Sequence, residues 1–342
     1  MKNCLALLTA CSFIACTNSN TNDSHSATAP KDSNIVSAAQ TVVAKAPIDT
    51  ARYDQLMKYL SNGDTTGRWP SKDKPYPLAG AILPYNRIIA YYGNLYSKKM
   101  GVLGEYPKAQ MLQKLKGEVQ KWAKADTTVP VIPALHYICV TAQGDPGKDG
   151  KYRYRMPLSQ IDTVLKWAKE INGLVFIDVQ VGFSTVQEEI PLLEKYLSLP
   201  NVHLGIDPEF AMAKKGKKPG TVIGTLDAAD INYMINYLAD LAKKNNLPPK
   251  ILVVHRFTKG MVTNSHAIKP LPEVQVVMDM DGWGNPPKKR STYYSWIYPE
   301  PVQFTGFKLF YKNDTQRVNE KQEMQPEAVL QLRPKPVYIQ YQ

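Results

Sequence analysis

The sequence predicts a (β/α)₈ barrel, an α/β fold in which eight parallel strands alternate with helices. Short apolar runs alternate with amphipathic stretches along most of the chain. The runs are mostly apolar throughout rather than alternating, which is typical of parallel strands buried on both faces. This alternation repeats eight times, the number that a closed barrel requires. An open doubly wound sheet is the alternative, but the chain has no Gly-x-Gly-x-x-Gly motif to favour it.

The predicted strands are the short apolar runs bounded by polar or turn-forming residues. They cover residues 87–92, 131–138, 174–181, 202–206, 251–254, 274–280, 304–310 and 337–341. The helices between them show apolar residues at helical spacing. They cover residues 108–123, 157–171, 185–197, 227–245, 290–297 and 326–332. Because the chain ends at the eighth strand, we expect the segment 50–60 to take the place of the eighth helix.

The first sixteen residues predict export from the cytoplasm. Lys2 is followed by an apolar run that is too short to span a bilayer, and the run ends Phe13-Ile14-Ala15-Cys16. This ending resembles the lipobox of bacterial lipoproteins, in which the cysteine takes a lipid and becomes the first mature residue. Cys11 also fits the pattern, but it leaves a shorter apolar run. An ordinary cleaved signal peptide is the alternative.

The lipobox resemblance implies lipidation of Cys16 and anchoring to the cell membrane or the outer membrane. Residues 17–48 are rich in Ser, Thr, Asn and Ala, and they predict a flexible tether. The domain organisation is therefore a signal peptide at 1–16, a tether at 17–48 and a single barrel at 49–342. Cys139 is the one cysteine outside the export segment, and we expect it to be a small core residue.

The charge and the motifs exclude several functions. The net charge is +12, but the basic residues are scattered and no RNA-binding signature occurs, so no nucleic-acid partner is predicted. The chain has no Cys-x-x-Cys or His-Glu-x-x-His motif, and we therefore predict no metal site and no cofactor.

Polar residues fall at the ends of seven predicted strands, where a barrel places its active site. Such residues are costly inside apolar strands unless they are paired or functional. The predicted catalytic residues are Glu209, Asp207, Asp178 and Asp281, and the predicted substrate-binding residues are Tyr92, Asn94, His136, Gln180, His255, Arg256, Trp283, Lys308 and Gln340.

The pair Asp207-Pro208-Glu209 is the most specific of these features. Strand alternation predicts that both carboxylates point into the barrel. Like charges this close raise the pKa of one carboxyl group, which suits a general acid at neutral pH. Two carboxyl groups beside aromatic side chains suit glycoside hydrolysis.

An Asp-x-Glu at the end of strand four resembles the chitinase-type and lysozyme-type glycoside hydrolases, as does the first strand, Arg87-Ile88-Ile89-Ala90-Tyr91-Tyr92. The resemblance implies that Glu209 donates a proton to the glycosidic oxygen and that Asp207 assists it. The substrate would then be a glycan or another envelope polymer.

Two other functions remain open from the sequence. His255-Arg256 resembles the His-Arg pair of glycerophosphodiester phosphodiesterase barrels, and Asp178, Glu209 and Asp281 could then hold Ca²⁺ or Mg²⁺. A non-catalytic surface lipoprotein that binds glycan is the other alternative.

Overall fold

The computed structural model describes residues 47–316, 319 and 322–342. The predicted signal peptide, its Cys16 and all but the last two residues of the predicted tether lie outside the described residues. Within the described part of the chain, no helix is long and apolar enough to cross a membrane.

Eight parallel strands close into a barrel, which confirms the predicted fold. The strands are β1 Arg87–Gly93, β2 Val131–Ala142, β3 Leu174–Val179, β4 Val202–Ile206, β5 Lys250–Arg256, β6 Val274–Met280, β7 Phe304–Leu309 and β8 Tyr338–Tyr341. Each strand pairs in parallel with the next along the chain. The barrel is closed because β8 also pairs with β1.

Helices follow most of the strands. The described helices are α1 Thr50–Ser61, α2 Val102–Glu105, α3 Lys108–Ala125, α4 Leu158–Glu170, α5 Val186–Glu189, α6 Glu194–Leu197, α7 Ala228–Lys244, α8 Pro286–Trp296 and α9 Pro326–Val329. The helix α7 begins with a capping box. Asp230 Oδ2 accepts the backbone N–H of Asp227 at 3.1 Å, and Asp227 Oδ1 accepts the backbone N–H of Ala229 at 3.1 Å.

The single helix predicted for residues 185–197 is wrong. The segment forms α5, a 3₁₀ turn at Pro191–Leu193 and α6 in succession. Pro191 has no N–H to donate and its ring crowds the preceding turn, so a continuous helix cannot pass through it.

The N-terminal helix α1 forms where it was predicted. It does not lie beside the strands as an eighth outer helix would, but packs on the inward-facing residues at one end of the barrel. Its residues Tyr53, Leu56 and Leu60 join a buried cluster with Ile88 and Ala90 of β1. The alternate β1 residues belong to the separate cluster beneath the outer helices. Since α1 contacts the inward-facing residues at the start of the strands, it covers the N-terminal end of the barrel, away from the strands' carboxyl ends.

Two interior glycines make room for carboxylates on neighbouring strands. Gly205 of β4 lies opposite Asp178 of β3, and a Cβ added to it would come within 2.3 Å of an Asp178 carboxylate oxygen. Gly306 of β7 lies opposite Asp279 of β6, where a Cβ would come within 2.4 Å of the Asp279 carboxylate. No real Cβ contact is this close, so only glycine leaves the space that these acids occupy.

A buried ion pair stabilises the start of β1. Arg87 Nη1 lies 2.7 Å from Asp126 Oδ2, and the two side chains are 0% and 2% exposed. We expect Asp126→Ala to lower the free energy of unfolding by about 3–5 kcal/mol, because it leaves a buried guanidinium without its partner. Chemical denaturation of the variant measures this loss.

The exposed pair Lys108–Glu170 is the matched control. Its atoms are 2.8 Å apart, but the side chains are 40% and 50% exposed. Glu170→Ala should change the free energy of unfolding by about 0–1 kcal/mol. If both variants lose the same free energy of unfolding, the buried pair does not stabilise the fold more than the exposed pair does.

Candidate active site

The carboxyl ends of the strands surround a cavity of about 610 Å³. Seven of the predicted site residues line it: Tyr92, Gln180, Asp207, Glu209, Asp281, Trp283 and Lys308. Phe210, Phe257 and Phe310 add aromatic surface, and Lys99 and Lys288 add positive charge. The cavity therefore combines acids, amide and ammonium groups with several aromatic rings, as ligand sites commonly do.

Asp207 and Glu209 reach the cavity by a different route from the one predicted. The strand β4 ends at Ile206, and Pro208–Phe210 form a 3₁₀ turn. Asp207 caps this turn, because its Oδ1 accepts the backbone N–H of Glu209 at 3.1 Å. Both carboxyl groups still face the cavity, and the capping bond fixes their relative position.

Burial is the main reason that the pKa of Glu209 is raised to about 7, and the nearby charge of Asp281 raises it further. Lys308 and His255 oppose this shift but do not cancel it. The pKa of Asp207 is raised well above its ordinary value, first by burial and then by Asp281 and Glu209, against the opposing charge of His255. Glu209 can thus give or take a proton near neutral pH.

A second group of ionisable side chains lies beneath the cavity. His255 of β5 is fully buried, and its Nδ1 lies 3.2 Å from Asp279 Oδ2 and 3.4 Å from Asp281 Oδ2. Its Nε2 lies 3.3 Å from Asp178 Oδ1. Burial alone would lower the pKa of His255, but these carboxylates, Asp178 above all, raise it well above its ordinary value.

Asp178 is the centre of this buried group. Its Oδ1 also lies 3.2 Å from His136 Nε2, and its Oδ2 accepts the hydroxyl of Tyr92 at 2.9 Å. Burial would raise the pKa of Asp178, but the charge of His255 and the closeness of both imidazoles hold it far below its usual range. Asp178 is thus a carboxylate held between two imidazoles.

The second histidine stays neutral. Burial lowers the pKa of His136 to about 4, despite the neighbouring Asp178. A neutral ring that carries its proton on Nε2, the nitrogen 3.2 Å from Asp178 Oδ1, has a bare Nδ1. This Nδ1 accepts the hydroxyl of Tyr338 and, at 3.1 Å, the amide N–H of Gln340. The two residues on β8 therefore orient the ring.

Lys308 joins the buried group to the cavity. Its Nζ lies 2.9 Å from Asp281 Oδ1 and 4.0 Å from the centre of the Tyr92 ring. Asp281 is thereby paired with Lys308 on one oxygen and faces His255 with the other. This arrangement leaves Asp281 at the boundary between cavity and interior.

Six predicted site residues do not line the cavity. His136, Asp178, His255 and Gln340 lie one layer below it on the strands, where each is fully buried. Arg256 follows the inward-facing His255, so alternation turns it outward, and its Nη1 pairs with Glu300 at 2.6 Å. Asn94 is also buried, and its side chain holds the loop after β1 through Ile138 O and Tyr96 N.

Sequence reasoning missed Tyr338 and Asp279, which orient the two histidines. A signal for both was present, because each lies two residues before a predicted site residue and so shares its face. Tyr338 precedes Gln340 on β8, and Asp279 precedes Asp281, which directly follows β6. Tyr338 was not predicted because strand eight was interpreted as a mostly apolar core strand. Asp279 was not predicted because the site residues were sought at the last positions of the strands. Lys99 and Lys288 lie in loops and helices, where no strand pattern points to the cavity.

Comparison with known proteins finds only weak similarity. No protein-family model matches the chain, and no curated protein matches it in sequence. Solved structures that are weakly similar include a GH5-4 broad specificity endoglucanase from an uncultured bacterium, with 7% identity, a TM-score of 0.33 and coverage of 66% of this chain and 77% of that one. The Bacillus subtilis mannanase BCman has 11% identity and a TM-score of 0.36, and covers 87% of each chain. The Bacillus subtilis mannanase man26 has 11% identity and a TM-score of 0.37, and covers 86% of each chain.

The environment of Glu209 predicts a carboxyl group that titrates near pH 7. Carbon-detected NMR of the Glu209 side-chain carboxyl should show a titration midpoint at about pH 7. Lys308→Met removes a charge that stabilises the ionised form, so the midpoint should move to higher pH. Lys288→Met, whose Nζ lies 4.6 Å from the centre of the Trp283 ring, is the control and should move it less. A midpoint below pH 5 in the unchanged protein would contradict the raised pKa.

Proposed function

We propose that the chain is a glycoside hydrolase in which Glu209 acts as the general acid. The observation that supports this most directly is the position of Glu209 on an open cavity, with a pKa raised to about 7. A general acid must keep its proton at working pH and release it to the leaving group, and a pKa near neutrality suits both requirements. Retaining and inverting glycosidases both use such an acid together with a second carboxylate.

Asp281 is the best candidate for the second carboxylate. It lines the cavity, and Lys308 and His255 lie beside it as positive groups. Asp207 suits this role less, because its pKa is raised well above its ordinary value. Asp178 is enclosed by Tyr92 and the two imidazoles, below the cavity.

The reaction follows from these two positions. A glycan would lie across the cavity with its scissile oxygen at Glu209. Glu209 would protonate that oxygen as the bond to the anomeric carbon breaks, while Asp281 would attack the carbon or activate a water on the other face. Trp283 and Phe210 at the cavity wall offer flat apolar surfaces of the kind on which sugar faces pack.

Glu209→Gln should abolish most of the activity, because glutamine cannot donate the proton. We expect kcat to fall by about 10²–10⁴-fold on a panel of chromogenic and polymeric glycans. In the unchanged enzyme, the rate should decline as pH rises through about 7, since Glu209 then loses its proton. Glu170→Gln, on the exposed pair with Lys108, is the control and should leave kcat unchanged.

Two outcomes would contradict this proposal. Unaltered turnover by Glu209→Gln would show that Glu209 is not the acid. Glycan binding by both forms without turnover by either would make the chain a binding protein, which is the non-catalytic alternative.

Metal-dependent phosphodiester hydrolysis is the second candidate function. It is favoured by two observations, the imidazoles of His136 and His255 on one carboxylate, and the lysines Lys99 and Lys288 on the cavity wall. The carboxylate set suggested by the sequence is not the one that converges, because Asp178 lies below the cavity whereas Glu209 and Asp281 line it. Hydrolysis of bis-p-nitrophenyl phosphate that is lost with a chelator, with no activity on glycans, would favour this reading.

We also propose that the chain is exported and anchored by a lipid on Cys16, so that the hydrolase acts on an envelope or environmental glycan. The lipobox-like sequence Phe13-Ile14-Ala15-Cys16 supports this. Cys16→Ser should move the protein from the membrane fraction to the soluble fraction and remove labelling by a palmitate analogue. Cys11→Ser is the matched control and should change neither. Labelling that follows Cys11 instead would place the anchor there.

A further inference from the structure

We infer that His136, Asp178 and His255 form a binding site for one divalent transition-metal ion beneath the cavity. The three residues come from β2, β3 and β5, and all are fully buried. One ligand atom from each, His136 Nε2, Asp178 Oδ1 and His255 Nε2, lies within 4.8 Å of the other two. Two imidazoles and one carboxylate are a common set of ligands for such ions.

The three ligand atoms have no hydrogen bond among the described residues. Each is buried, and none meets the geometry of a hydrogen bond, although the charged groups are close. Buried polar atoms are nearly always satisfied, and an orphaned one requires an explanation such as an ion. Here three orphaned atoms from three strands face one point, whereas their remaining nitrogen and oxygen atoms are all partnered.

The distances between the ligand atoms fit a metal ion. Ligands about 2.1 Å from a tetrahedral ion lie about 3.4 Å from each other. Asp178 Oδ1 lies 3.2 Å from His136 Nε2 and 3.3 Å from His255 Nε2. The two histidine nitrogens lie within 4.8 Å of each other. Movement of the imidazoles towards each other would therefore place an ion at bonding distance from all three atoms.

The other atoms of the three ligands are held as metal ligands usually are. His255 Nδ1 faces the carboxylates of Asp279 and Asp281, which would accept its proton once Nε2 binds the ion. His136 Nδ1 would carry the proton once Nε2 binds the ion, and the hydroxyl of Tyr338 can accept it. The Gln340 amide now presents Nε2 to this atom and would turn to present Oε1, which has no hydrogen bond among the described residues. Tyr92 donates to the second oxygen of Asp178 and leaves Oδ1 for the ion.

The surrounding charge favours a cation at this position. Asp279 and Asp281 add negative charge beside Asp178, and within the buried group only His255 and Lys308 carry compensating charge. A divalent ion would replace the proton on His255 Nε2 and offset the remaining excess. Imidazole ligands select Zn²⁺, Fe²⁺ or Co²⁺ over Mg²⁺ and Ca²⁺, which prefer oxygen.

Zn²⁺ and Co²⁺ are the probes for this site. The full chain, stripped with a chelator and dialysed, should bind one equivalent of Zn²⁺ by isothermal titration, and the melting temperature should rise with added Zn²⁺. Co²⁺ should give visible absorption bands of a low-coordinate nitrogen and oxygen site. Mg²⁺ and Ca²⁺ should neither bind with this stoichiometry nor raise the melting temperature. Absence of stoichiometric binding of both Zn²⁺ and Co²⁺ to the folded, unaltered chain would overturn the inference.

Variants locate the ion on the chain. Asp178→Asn and His255→Gln should each weaken Zn²⁺ binding by more than about 100-fold, since loss of an outer partner alone costs about 10–100-fold. Asp279→Asn keeps all three ligands, so its Zn²⁺ affinity should fall by the smaller factor of about 10–100. His266→Gln, on an exposed loop, is the matched histidine control and should bind Zn²⁺ as the unaltered chain does. Equal loss in the His266 variant would assign the binding elsewhere.

The ion site and the hydrolase activity can fail separately. Glu209→Gln should lose turnover and still bind Zn²⁺, because Glu209 is not among the ligands. If Zn²⁺ binds but no glycan is cleaved, the ion site stands and the proposed function does not. If glycans are cleaved but no ion binds, the reverse holds.

Discussion

A surplus of carboxylates enclosed in one end of the barrel is the constraint on which the site depends. The described residues place five acids there, Asp178, Asp207, Glu209, Asp279 and Asp281, against Lys308 and His255 as the buried cations. Lys99 and Lys288 add positive charge at the exposed part of the cavity wall. Negative charges that lie close together repel each other strongly in a medium of low dielectric constant, and burial of each charge is itself unfavourable. Burial in the first place, and the neighbouring carboxylates in the second, raise the pKa values of Asp207 and Glu209, so these two groups retain their protons more readily.

The same constraint divides the site into two layers with different chemistry. In the lower layer Asp178 stays ionised, because two imidazoles and a tyrosine hydroxyl surround it. In the upper layer Glu209 meets the open cavity and can exchange a proton with a ligand. Asp281 belongs to both, since one oxygen faces Lys308 and the other faces His255. A change of charge below would therefore be felt by the acid above.

The sequence was sufficient for the fold and for part of the site. Mostly apolar runs such as Val202–Ile206 and Val274–Met280 coincide with strands, because a strand buried on both faces is apolar at most of its positions. Glu209 reaches the cavity, but through a 3₁₀ turn that strand alternation does not describe. The convergence of His136, Asp178 and His255 depends on closure of the barrel across β2, β3 and β5, and no local pattern records the distance between residues so far apart along the chain.

The two glycines inside the barrel show that the ionisable groups belong to the packing of the core. Gly205 and Gly306 leave room that the carboxylates of Asp178 and Asp279 fill, strand against strand. Removing an acid would leave a void beside a glycine, and enlarging a glycine would displace an acid. The members of each pair can therefore change during evolution only together or at a loss of stability. A descendant of this barrel that gave up its chemistry would carry compensating changes at both positions, and such paired changes would record the loss in its sequence.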